Sequence, residues 1–357
     1  MPDCESSLYS LMRTPLLKAM IKRLPLFLLS ALAIFTSLHA QDPVFSQFFA
    51  APLHVNPAFA GVTEAPRFTL NYRNQWSAWP NAYSTYAATY EQTLESLNSG
   101  IGVIVMADNA GDGIYKTNRF SAVYGYRLQA SDNLFFKFGV EAGLIQTSIN
   151  WDKLVFGDQL DPINGPTDPT NEDRPESLSR TAVDISAGLL IYAKNMYGGI
   201  SLKHLNSPNE NFLQLNENLN AGAPMRLTVH AGMEFELGQG NNQNEGAFIS
   251  PNVMFIKQGP FGQLNVGSYA GFGKFYGGLW YRHALSNADA AIMMLGFRHG
   301  ILRMGYSYDI TLSELASAPG GTGGTHEIAL TINLDDSRAL QRKKRAARYS
   351  NCFKMFN

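Results

Sequence analysis

At 357 residues and a formal charge of −1, the chain is long enough for one or two ordinary domains and carries no net charge that selects a partner. The charge is unevenly placed, however. Residues 41–335 are acidic, whereas the tail 336–357 holds Arg338, Arg342, Lys343, Lys344, Arg345 and Arg348.

The N-terminus carries an export signal. Lys22-Arg23 precede an apolar run from Leu24 to Leu38, followed by Ala40, so residues 1–40 are expected to be a cleaved leader. Met20-Ile21-Lys22-Arg23 is the more usual opening for such a leader, and translation is expected to begin at Met20. Export makes nucleic acid an unsuitable partner for the basic tail, which is left as a solvated extension or a contact for anionic lipid or an acidic partner. Removing the leader also removes Cys4, and Cys352 alone forms neither an intramolecular disulfide nor a cysteine metal cluster.

Residues 41–66 are rich in proline and aromatics with no clean period. From Arg67 onward the chain alternates apolar and polar positions in fourteen segments: 67–74, 84–92, 101–107, 118–128, 133–147, 181–192, 197–205, 225–237, 247–258, 263–272, 275–283, 290–299, 302–312 and 326–334. In 225–237, for example, Leu227, Val229, Ala231, Met233, Phe235 and Leu237 alternate with Arg226, Thr228, His230, Gly232, Glu234 and Glu236. Period two gives each strand one apolar and one polar face. Segments near ten residues suit a tilted crossing of a bilayer better than the roughly 5–6 residues of an ordinary strand.

The even number, the short links and the distribution of loops point the same way. The long connections Gln75–Tyr83, Asp108–Thr117, Ser148–Arg180, Asn206–Pro224 and Ser313–Thr325 all follow odd-numbered strands. The expected fold is therefore all-β, a transmembrane antiparallel up-and-down β-barrel of about 14 strands over residues 67–335, with long extracellular loops, short periplasmic turns and periplasmic termini. Its lumen is expected to be lined by Arg119, Arg127, Lys137, Glu141, Asp184, Lys203, Arg226, Glu234, Arg298, Arg303, Asp309 and Glu327. His230 and Glu234 share that face, within reach of Asp184 across the barrel. Trp76, Trp79, Tyr83, Tyr197, Trp280 and Tyr281 are expected in interfacial girdles, and Pro251 is expected to force a bulge or bend.

Catalytic signals are absent. His326-Glu327 lacks a second histidine, Gly271-Phe272-Gly273 with Gly277 misses the dinucleotide spacing, and no Gly-x-Ser-x-Gly occurs. No catalytic residue, cofactor or metal is expected. The loop Ser148–Arg180, with Asp158 and Asp161 among its carboxylates, lacks EF-hand spacing and reads as a proline-stiffened surface loop; calcium binding there stays open.

Several stretches resemble a known family. Gln41-Asp42-Pro43-Val44-Phe45-Ser46-Gln47-Phe48-Phe49, Asn56-Pro57-Ala58-Phe59-Ala60-Gly61, Asn71-Tyr72-Arg73-Asn74-Gln75-Trp76 and Gly157-Asp158-Gln159 are similar to PorP/SprF proteins. These are outer-membrane barrels of the type IX secretion and gliding-motility machinery of Bacteroidetes-type bacteria. The resemblance implies a non-enzymatic barrel in the outer membrane of a Gram-negative cell that helps a large secreted protein leave and stay on the surface. Implied partners are outer-membrane lipid, the cognate secreted protein through its C-terminal sorting domain, and periplasmic or membrane components of the machinery. Residues 41–66 would emerge on the periplasmic side to plug the lumen or dock a partner. Phe45, Phe48, Phe49, Asn56, Pro57, Phe59, Asp158 and Asp161 are the candidate partner-binding residues. The alternatives are a passive porin for small solutes and an outer-membrane hydrolase; the second lacks a nucleophile–base pair.

Overall fold

The computed structural model describes residues 41–63, 65–161, 163–166, 169–209, 222–237 and 246–334. The leader, the Met20 start and the basic tail lie outside the described residues. The barrel strands are β1 (Arg67–Gln75), β2 (Tyr83–Leu94), β3 (Ser99–Ala110), β4 (Tyr115–Ser131), β5 (Leu134–Ile149), β6 (Ser179–Tyr192) and β7 (Met196–Lys203). They continue with β8 (Arg226–Met233), β9 (Phe248–Gln258), β10 (Phe261–Phe272), β11 (Phe275–Ala284), β12 (Ala288–His299), β13 (Leu302–Thr311) and β14 (Thr325–Asn333).

Each strand pairs antiparallel with its neighbours in sequence. β1 closes the ring on β14 in a register running from Arg67↔Asn333 to Gln75↔Thr325, so the 14-stranded sheet has no free edge. Closure is what hydrocarbon demands, because no water is there to satisfy an open row of N–H and C=O groups.

Burial is inverted relative to a soluble protein. Leu70, Phe120, Val140 and Leu295 point outward and are exposed, whereas Arg73, Lys137, Glu141 and Glu327 are buried inside. The outward band is solvated by lipid, and the polar faces fill the interior.

Four expectations are corrected. Pro251 makes no bulge: Gly232↔Asn252 and Phe235↔Ile249 keep one register on either side of it, and Pro251 pairs in line with Ser268 of β10. The segment 225–237 is not one strand, because the ladder skips Glu234, whose N–H goes instead to the Asn195 carbonyl at 2.8 Å. Pro251, which faces Met233 in this register and has no N–H to donate to it, accounts for the gap in the β8–β9 ladder.

Third, Tyr197 and Trp280 are buried inside, on the inward parity of β7 and β11, and belong to no girdle. Trp76, Trp79 and Tyr83 do cluster at the loop end, with ring centroids 5.6 and 5.3 Å from Trp76. Fourth, the expected long loop Asp108–Thr117 is short. β3 and β4 extend almost to meet at residues 111–114, and β4 and β5 reach 17 and 16 residues.

Candidate functional site

Residues 41–63 form a strap inside the barrel. Two overlapping turns, Ala50 N–H to Gln47 O (2.9 Å) and Ala51 N–H to Phe48 O (3.1 Å), lead into one helical turn, α1 (Pro52–Val55), with proline at its first position. Asn56 is extended, and its side-chain oxygen accepts the Ala58 N–H at 2.9 Å, capping a 3-10 turn over Pro57–Phe59. The prolines and this cap explain the lack of a period in the sequence. The strap is a series of single turns, each shaped to one patch of wall.

Its path follows from its partners. At the loop end, Asp42 meets Arg119 near the start of β4 (3.1 Å), Arg226 at the start of β8 (3.1 Å) and His204 just past β7 (2.7 Å). The Asp42 N–H also donates to Gln258, the last residue of β9, at 3.1 Å. His204 reaches the Asp184 carboxylate with its other ring nitrogen at 2.9 Å.

Next, Ser46 and Gln47 donate consecutive backbone N–H groups to the two oxygens of Glu327, at 2.8 and 2.9 Å. The Ser46 hydroxyl donates to Asp309 (2.7 Å) and accepts from Arg73 and Arg282 (2.8 Å each). Phe48 and Phe49 pack edge-on against Tyr269, at 5.6 and 4.8 Å, and Phe48 against Trp280 at 4.9 Å.

Deeper, Asn56 donates to the carbonyls of Leu189 and Ile200, at 3.1 and 3.2 Å, and lies 3.1 Å from the ring of His230. Phe59 stacks on that ring at 5.2 Å. At the turn end the Lys137 ammonium donates to Ala60 O at 2.7 Å, and Pro66 O accepts the Leu334 N–H at 3.1 Å. The strap therefore crosses from the loop end, where Asp42 sits, to the turn end, where β1 begins. Pro66 thus lies at the turn end and Asp42 at the loop end.

Phe45, Phe48, Phe49, Asn56, Pro57 and Phe59 are all buried by the wall and turned away from any outside partner. Burial of each phenylalanine is worth about 1.5–3 kcal/mol. The wall has been shaped to receive the strap. Gly61 adopts φ +67, and a β-carbon on Gly100 would sit on the Ala60 carbonyl, one on Gly188 on the Asn56 amide oxygen. Gly100→Leu is therefore expected to displace the lower strap and destabilise the barrel by about 1–3 kcal/mol in a urea titration, with cleavage in 41–63 by added protease.

Arg119, Lys137, Glu141, Asp184, Lys203, Arg226, Glu234, Arg303, Asp309 and Glu327 are buried in the lumen; Arg127 and Arg298 are half-buried nearer its ends. Charges of both signs meet there, as in Lys203–Glu141 at 2.9 Å. Asp184 pairs with His204, not with His230 or Glu234. Sequence reading missed Asp42 and His204 and gave no role to Arg73. Arg73 was legible, since Phe68, Leu70 and Tyr72 put it on the polar face; nothing local marks Asp42 or His204.

Asp158 and Asp161 lie outside the barrel, each folding its own loop. Asp158 accepts the Asn171 N–H at 2.6 Å, which holds its carboxyl below the ordinary value. Asp161 accepts from Asn164 and Ile163 N–H groups, at 2.8 and 2.9 Å, with the same effect. Asp158→Ala is expected to speed tryptic cutting at Arg174 while leaving the barrel's unfolding midpoint unchanged. Among the described residues, no cluster of three or more His, Cys, Asp or Glu has the arrangement of a metal site.

No curated protein matches the chain. Among solved structures, the Pseudomonas putida toluene transporter TodX is similar at 11% identity and a TM-score of 0.44, covering 83% of this chain and 98% of that one. A Pseudomonas aeruginosa FadL homologue is similar at 10% identity and a TM-score of 0.36, covering 75% and 90%. The family model for the type IX secretion system membrane protein PorP/SprF matches residues 37–332. With a closed 14-stranded wall, an apolar outer band and a match that spans most of its length, this chain belongs to the PorP/SprF family of outer-membrane barrels.

Proposed function

We propose that the protein is a closed outer-membrane scaffold that assists secretion and surface anchoring of one large secreted protein and conducts no solute. The observation that supports this reading is the strap. A lumen crossed from end to end by buried side chains, ion-paired at the top and hydrogen-bonded at the bottom, leaves the rims as the working surfaces.

In this reading the loop end faces outward, and its long connections, including residues 150–178, meet the C-terminal sorting domain of the secreted protein. The turn end meets periplasmic or membrane components of the machinery. Residues 41–66 act as plug, residues 67–335 as barrel, and the chemistry is recognition rather than catalysis. The charged wall would suit a passive small-solute channel only with the strap withdrawn.

Deleting the gene tests the two readings together. The scaffold reading expects one surface protein to be trapped or released, with uptake of small solutes unchanged. Slower solute uptake with an intact surface would contradict it.

A further inference from the structure

Away from the strap, the described wall carries a recess of about 650 Å³ on the outside of β6–β10 near the turn end. Its floor is a cross-strand row, Ile191↔Gly198↔Ala231↔Val253, in which two small residues stand where a barrel of this kind usually carries bulk. A β-carbon on Gly198 would meet nothing nearer than the His230 carbonyl oxygen at 3.7 Å, so the space above it is open. Met196 and Met233, directly paired, flank the row on its turn-end side. On other outward positions, by contrast, Leu279 and Leu295 stand about 70% exposed.

The recess also coincides with the break in the β8–β9 ladder, since Met233 is the last residue of β8 and Pro251 lines the cavity. On its rim, the Ala193 N–H to Met196 O bond (2.8 Å) closes a turn that presents Lys194 to solvent. The apolar lining thus ends at a turn that carries an exposed ammonium group.

We propose that this recess binds one acyl chain of a phospholipid from the turn-side leaflet, its phosphate held at Lys194. The occupant follows from continuity with the lipid-facing band and from the charge at the rim. In hydrocarbon, neighbouring chains are as apolar as the wall, so burial alone selects nothing. Selection comes from shape, because an unfilled recess forfeits dispersion contacts, and from the cation at a fixed distance from the floor. A volume near 650 Å³ lies within the range of roughly 300–1,000 Å³ seen for ligand sites.

The test is native mass spectrometry of the full chain, extracted from membranes and passed through exchange into a second detergent. Wild type is expected to retain phospholipid. Gly198→Leu and Ala231→Leu, which fill the floor from outward positions, are expected to reduce retention about tenfold, and Lys194→Ala to reduce it less. Folding of each variant is read independently from heat-modifiable migration. Loss of all phospholipid from wild type during exchange would overturn the site, as would wild-type retention in both folded floor variants. A Met233→Cys variant that cross-links to a second polypeptide in membranes would also overturn it, by showing a protein in the recess.

Discussion

A barrel lacking residues 42–63 is expected to conduct steadily in a planar bilayer, whereas the full chain holds the baseline. The increase should be on the order of tenfold or more, because a wall of this circumference encloses an aqueous lumen once nothing fills it. The strap's polar contacts reach β1, β4, β5, β6, β7, β8, β9, β11, β13 and β14, and its phenylalanines add β10. Its removal therefore uncovers wall on every side. Arg73 and Arg282 keep Asp309 and Glu327 as partners, but Arg119 and Arg226 lose their ion pairs with Asp42, so the open form is expected to show ion selectivity. Equal, low conductance from both folded barrels would show that residues 42–63 do not close the lumen.

The second large effect is expected at Glu327. It is fully buried, and its two carboxylate oxygens accept the Ser46 and Gln47 N–H groups and face Arg73 at 3.2 Å. Glu327→Ala leaves a buried guanidinium and two backbone donors short of acceptors, and is expected to cost about 3–5 kcal/mol in reversible unfolding. Arg73→Ala alone should cost a similar amount through the stranded carboxylates. Removing both partners should cost clearly less than the two single effects together, since neither charge is then left alone. Strict additivity would mean that Arg73 and Glu327 do not act as a unit.

The barrel was readable because its physics is periodic. Each strand alternates for itself, and the outward band of Phe120, Val140 and Leu295 follows from parity alone. Strand ends were less legible. Ile145 sits on the inward parity and Gln146 on the outward one, so polarity fails to mark where β5 leaves the bilayer and runs on toward Ile149. The strap was the hardest part. Its residues announce a need for burial, with Phe48 and Phe49 adjacent, but their pockets are assembled from Tyr269 and Trp280, more than two hundred positions away. Asp42 is a lone carboxylate until closure brings Arg119, His204 and Arg226 around it. Direction of travel through the lumen depends on those long-range partners, so no local pattern contains it.

That direction is the central claim, and a cysteine at its upper end tests it. In chains carrying Cys4→Ser and Cys352→Ser, Gln41→Cys is placed at the loop end and Asn98→Cys, exposed between β2 and β3, at the turn end. A membrane-impermeant maleimide added to intact cells should label Gln41→Cys and spare Asn98→Cys until the outer membrane is permeabilised. Labelling of Asn98→Cys on intact cells with Gln41→Cys protected, or protection of both until permeabilisation, would contradict a strap that runs through the barrel to the outer face.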